Sequence, residues 1–105
     1  MGVHTCDKRS SRSVIANAVP SWGIEEGFTE EDELWQPDHR ETHEEHDERT
    51  RAVLEDIFAH DRSTFVSLTS HSGAGASLLR VIGHRQFGLP TGGMMPIFVK
   101  ATKLG

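Results

Sequence analysis

The sequence predicts an α/β layer fold with parallel-type strands flanked by helices, and three observations lead there. Apolar spacing alternates between helical and extended along the second half of the chain, giving the order helix, strand, helix, strand that marks this class. Gly83, Gly92 and Gly93 punctuate the boundaries between those stretches. Two strands are too few for a sheet buried on both faces, so the elements read as one side of a larger domain.

The N-terminal segment, residues 1–37, is loop-rich. Val14, Ile15 and Ala18 allow one short helical turn before Pro20 ends it. Ser21 to Pro37 then reads as loop, with Gly23, Gly27, Trp22, Trp35 and an acidic run from Glu30 to Glu33. A structureless stretch of that length in a small domain points to a function or to neighbours that order it.

Residues 38–105 carry the layer pattern. From about His39 to His60 there is no Gly or Pro, and Glu, Arg and Ala dominate, which predicts a helix. Its apolar residues, Ala52, Val53, Ile57 and Phe58 with Leu54 beside them, occupy only the second half. The first half is charged all round. Thr64 to Thr69 is a β-branched and apolar run predicted to be a buried strand. A second helix is predicted over 73–82, where Ala76, Leu78, Leu79 and Ile82 make an apolar stripe and Gly83 stands at the C-terminal cap. Thr91-Gly92-Gly93 signals a turn, and Met95 to Val99 reads as a second strand whose Pro96 puts it at a strand start or sheet edge.

Composition bounds the rest. The chain has 105 residues, 35% hydrophobic and 26% charged, enough for one core. A net charge of -5 argues against nucleic acid and anionic lipid as partners. No apolar run approaches the about 20 residues that span a bilayer, and the N-terminus lacks a signal-like apolar stretch, which predicts a cytoplasmic protein. The lone Cys6 forms no internal disulfide and suits a reducing compartment.

The informative junction is Val66-Ser67-Leu68-Thr69-Ser70-His71-Ser72-Gly73. Ligands of α/β sheets gather where strands end, and a helix N-terminus there offers free N–H groups and partial positive charge to a phosphoryl group. An imidazole at position 71 can donate to phosphate oxygens, and Ser70 and Ser72 can cap the helix or bind the same oxygens. A cap or plain surface histidine is the competing interpretation.

An apolar run followed by Ser70-His71-Ser72-Gly73 and an apolar helix resembles the second-histidine motif of the histidine phosphatase superfamily. The stretch from Trp35 to Leu54, with Arg40-Glu41-Thr42 and Arg49, is similar to the fungal phosphoglycerate-mutase-like branch. So are Val81 to Arg85, Thr91 to Pro96, and Gly2 to Ser10. The resemblance implies the C-terminal part of a phosphoglycerate-mutase-like three-layer domain acting on a small phosphorylated metabolite, as a phosphatase or phosphomutase, without metal or other cofactor. It makes His71 the second catalytic histidine, with Ser70, Ser72, Gly73, Arg40 and Glu41 as substrate-binding candidates. In that superfamily a histidine of an Arg-His-Gly segment attacks phosphorus, and the second histidine steadies charge on the transferring group.

No Arg-His-Gly occurs in these residues, so the family's covalent route lacks its nucleophile in this chain. The leaving-group acid of the family does not map onto Glu25, Glu26 or Glu41. The rival expectation is a non-catalytic module that binds a phosphorylated ligand or a protein, with the acidic stretch Glu25 to Asp32 and Phe28 as a docking loop. His39, His43 and His46 would share a face on a helix, but they lack the His-Glu-x-x-His order, and a solvated charged face explains them as well. His84 and Arg85 follow the second helix where positive charge suits its dipole.

Overall fold

The computed structural model describes residues 1–104, and among these it is helical. A 3-10 helix at Thr5–Asp7 is followed by α1 (Arg12–Ala18), α2 (His43–His60) and α3 (Ser72–Val81). The chain divides into two compact units, Met1–Glu41 and Thr42–Gly105.

In the first unit Ser11 caps α1, its hydroxyl accepting from the Val14 amide at 3.3 Å, and the helix ends at Val19 ahead of Pro20. The acidic loop is anchored by one side chain, Arg9. Its guanidinium donates to the carbonyls of Thr29 at 2.8 Å and Glu31 at 3.0 Å and stacks 4.0 Å from the Phe28 ring. Glu30 returns the contact, its carbonyl accepting from the Arg12 amide at 2.8 Å and its carboxylate from the Ser13 amide at 3.2 Å. The Ser13 hydrogen bonds hold the Glu30 carboxyl below its usual range. Partial burial pushes Asp32 up, yet the amides of Arg9, Trp35 and Leu34 outweigh it and keep that carboxyl low as well. The indole of Trp35 donates to the His4 carbonyl at 3.1 Å, and Lys8 lies 5.4 Å from its ring. The loop is therefore folded back on residues 4–13, and Phe28 serves Arg9.

In the second unit α2 begins at His43, later than the composition suggested. Thr42 and Glu45 form a reciprocal cap: the Glu45 amide donates to Thr42 Oγ1 at 3.2 Å and the Thr42 amide to Glu45 Oε2 at 2.8 Å. His39 thus lies before the helix and shares no helical face with His43 and His46. The helix ends at Asp61, whose amide reaches the Ile57 carbonyl at 2.8 Å and whose carboxylate accepts from the Ser63 amide at 2.7 Å.

α3 runs one residue ahead of its expected span and packs on α2. Its stripe is real, since Leu79 is buried, but the other buried residue is Ser77. Gly83 closes the helix at φ 72°, letting its amide reach the Arg80 carbonyl at 3.2 Å while His84 reaches Leu79 at 2.9 Å. This paired closure needs the left-handed backbone that glycine adopts freely. His84 therefore contributes to the end of α3 through its backbone amide, and its Nδ1 lies 2.7 Å from the Arg85 carbonyl.

The α/β expectation is overturned: no strand is present among the described residues, so there are no parallel-type strands for the helices to flank. Thr64 to Thr69 and Met95 to Val99 have the side-chain pattern of strands but not the pairing. A strand exists through hydrogen bonds to a neighbour, and the amides of both segments make none within the chain among the described residues. Phe65 is 91% exposed and Phe98 fully so, which leaves the predicted burial unrealised. No described helix is long and apolar enough to cross a membrane.

Candidate functional site

His71 is the N-cap residue of α3, with extended backbone (φ -76°, ψ 163°). Its carbonyl accepts from the amides of Ala74 at 3.1 Å and Gly75 at 3.2 Å. That leaves the amides of Ser72 and Gly73, the first two residues of the helix, without an acceptor inside α3. The His71 ring makes no capping bond and is exposed. Ser70 Oγ donates to the His71 carbonyl at 3.3 Å, so it steadies the turn rather than capping the helix. A Cβ built on Gly73 would meet nothing within 4 Å, so the face beside the free amides is open.

The chemistry such a turn offers is anion binding. Two amides without an intrahelical acceptor at the positive end of a helix suit a tetrahedral oxyanion, and the His71 imidazole is adjacent in the chain. In sequence, the stretch from Arg62 to the end of the chain has no Asp or Glu and five Lys and Arg, of which Arg80 is paired with Asp47 of α2. Every one of the 16 carboxylates precedes it in sequence. This partition can be read from the sequence directly, though the overall charge of -5 conceals it.

The structure groups Ser70, His71, Ser72 and Gly73 in this one turn. Arg40 and Glu41 belong to the other unit. Arg40 is exposed, whereas Glu41 is engaged: its amide donates to the Met1 carbonyl at 2.8 Å and its carboxylate accepts from the Met1 ammonium. Among the described residues no group of three or more His, Cys, Asp or Glu could hold a metal ion.

Farther along α3 lies a polar cluster that the residue pattern did not reveal. Asp47 of α2 takes Arg80 Nη2 at 2.7 Å and Nε at 2.9 and 3.0 Å, and Ser77 Oγ donates to it at 2.7 Å. Thr50 Oγ1 is 2.7 Å from the same serine hydroxyl. The hydrogen bonds from Arg80 and then Ser77 hold the Asp47 carboxyl at about 2. The signal was present as two i,i+3 pairs, Asp47 with Thr50 and Ser77 with Arg80, on facing helices. The cluster fixes α3 against α2 and so orients the helix that carries His71. A separate hollow of about 320 Å³, lined by Phe87, Met95 and Ile97 among others, lies beyond the C-terminal end of α3, away from the His71 turn.

Three fungal proteins are similar to this chain over most of its length. A "Probable phosphoglycerate mutase" of Arthroderma benhamiae is 53% identical over 100 residues, which is 95% of this chain and 30% of the relative. "Phosphomutase-like protein 3" of Candida albicans is 40% identical over 99 residues, 93% of this chain and 31% of that protein. This chain matches one region of the phosphoglycerate-mutase-like proteins. A probable phosphoglycerate mutase of Saccharomyces cerevisiae is 38% identical over 113 residues, covering 95% of the chain and 38% of the relative. The chain therefore spans about a third of the length of the curated relatives it matches. No family model matches it, and no solved structure does.

Proposed function

We propose that the Ser70–Gly73 turn is the part of a phosphoryl-transfer site that binds phosphate oxygens, with His71 as the second histidine of a phosphoglycerate-mutase-like protein. The observation that carries this reading is the position of His71: it caps α3 beside two free amides, within a stretch that has cations and no carboxylate. The names of the fungal relatives support a phosphorylated small metabolite as ligand. Ser72 and Gly73 supply backbone donors, Ser70 holds the turn, and the imidazole donates to the oxyanion. A cytoplasmic setting accords with the single unpaired Cys6.

Hydrolysis of a phosphomonoester belongs to the longer proteins of this kind, because attack on phosphorus needs a nucleophile and these residues contain no Arg-His-Gly. By itself the chain binds and does not turn over. The test uses an aryl phosphate for turnover and inorganic phosphate for binding, on the chain and on His71→Ala. We expect no hydrolysis from either. Phosphate affinity should fall about tenfold in the variant, the loss of roughly one charge-assisted hydrogen bond. Turnover that disappears with His71 would overturn the binding-only half of the proposal. Equal phosphate affinity in the two proteins would remove His71 from the site.

A further inference from the structure

Thr29 stands at the head of an uninterrupted run of four carboxylates, Glu30 to Glu33. Residues 13–38 as a whole hold seven carboxylates and no Lys, Arg or His. Thr29 is half-buried, while Glu30, Glu31 and Glu33 are exposed. A cation from outside the run already touches the hydroxyl: Arg9 Nη2 donates to Thr29 Oγ1 at 2.9 Å and to the Thr29 carbonyl at 2.8 Å. The hydroxyl in turn donates to the Glu31 carbonyl.

These observations join two properties in one side chain. Carboxylates directly after a hydroxyl are complementary to a peptide groove lined with Lys and Arg, which draws the segment in and fixes which hydroxyl reaches the reacting end. A phosphate on that hydroxyl would ordinarily be repelled by the carboxylates beside it. Here it would instead meet a guanidinium at hydrogen-bonding distance, and Arg–phosphate contacts are stronger than the contacts to neutral carbonyls that Arg9 makes now. Thr42 offers an internal comparison, because it is the one other Ser or Thr with a carboxylate three residues on, Glu45. That carboxylate is turned back onto the Thr42 amide at 2.8 Å, and the Thr42 hydroxyl accepts from the Glu45 amide at the start of α2. The first turn of a helix does not spread its side chains along a groove that takes extended peptide.

We propose that Thr29 is a phosphorylation site for an acid-directed protein kinase, with Arg9 as the cation that holds the phosphate. Thr29 Oγ1 bonds to the γ-phosphorus of a nucleoside triphosphate, the bond from that phosphorus to the bridging oxygen breaks to leave the diphosphate, and the hydroxyl proton passes to the kinase's base. The hydrogen bond from Thr29 to Glu31 is lost, and Arg9 exchanges carbonyl acceptors for phosphate oxygens.

The probe is casein kinase II with magnesium ATP acting on the full chain, with sites and rates read by peptide mass spectrometry. Thr29 should be phosphorylated about tenfold or more faster than Thr42, and Thr29→Ala should abolish the faster reaction. The double variant Glu31→Gln, Glu33→Gln removes two carboxylates that make no hydrogen bond or ion pair among the described residues. It leaves the Arg9 contacts in place and should slow the reaction at Thr29 about tenfold. No phosphate on Thr29, preference for Thr42, or an unchanged rate in the double variant would overturn the site. The part played by Arg9 is read by alkaline phosphatase acting on the phosphorylated chain. Release should be about tenfold faster from Arg9→Ala, the loss of roughly one charge-assisted hydrogen bond. Phe28→Ala removes the ring beneath Arg9 and keeps the cation, so its release rate should stay near that of the unaltered chain. Equal acceleration in both variants would show that a loosened loop, not the guanidinium, governs release, and would remove Arg9 from the proposal.

Discussion

Arg80 grips Asp47 across the interface of α2 and α3, with its Nη2 2.7 Å and its Nε 2.9 Å from the two carboxylate oxygens. Ser77 completes the arrangement from one turn earlier on α3, its hydroxyl donating to the same carboxylate at 2.7 Å. Three polar side chains thus set the register of two helices where a larger protein would use a broader apolar contact.

Protonation should undo that contact. The Asp47 carboxyl is held at about 2 in the folded chain against an ordinary 3.8, so in the interval between those values the unfolded state binds more protons. Stability therefore rises with pH across that interval, is fully present above it, and is lost as pH falls toward 2. Thermal melting from pH 7 to pH 2 should show a decline concentrated below pH 4, part of which disappears in Asp47→Asn. An identical acid profile in the variant would show that Glu30, Asp32 and Asp61, also held low, account for the decline without Asp47.

The reciprocal cap at Thr42 and Glu45 defines where α2 starts. Thr42→Ala removes the acceptor for the Glu45 amide and should destabilise the helix by about 0.5–2 kcal/mol. Thr42→Ser should keep most of that, because the hydroxyl remains. Circular dichroism melts of the two variants check the difference; matching melts for Ala and Ser would dismiss the cap.

At Gly83 the backbone is left-handed, with φ 72°. An added Cβ meets no neighbour there, so the penalty of Gly83→Ala is conformational and should be about 1–2 kcal/mol. Gly83→Asn should lose less, since asparagine tolerates this region better. Hydrogen exchange at the amides of Gly83 and His84 reports the loss at the affected bonds.

The turn at His71 should bind phosphate and not hydrolyse its esters. An affinity about tenfold weaker in His71→Ala is the expected signature, read by titration with inorganic phosphate.

How much of this was legible follows from what each element depends on. α3 was readable because an amphipathic stripe and a terminal glycine are local properties, and both Leu79 and Gly83 behave as their positions suggest. The start of α2 was misplaced because charged composition extends through His39, although Thr42 and Glu45 spelled out the cap three residues apart. Thr64 to Thr69 and Met95 to Val99 differ for another reason: a β-branched and apolar run has the side chains of a buried strand, but pairing needs a second backbone that local pattern does not supply. The His71 turn was found through its serines and glycine. The Asp47–Arg80 contact joins residues 33 apart, and charge along a helix does not disclose which charges face a neighbour.

The distribution of carboxylates has a consequence for handling the molecule. The acidic and basic stretches meet at Asp61 and Arg62, in the exposed connection between α2 and α3. A tryptic nick after Arg62 would release two peptides of opposite sign, separable on a single ion-exchange step at neutral pH. While Asp47 retains Arg80, the halves should instead elute together, and high salt or mild acid should part them.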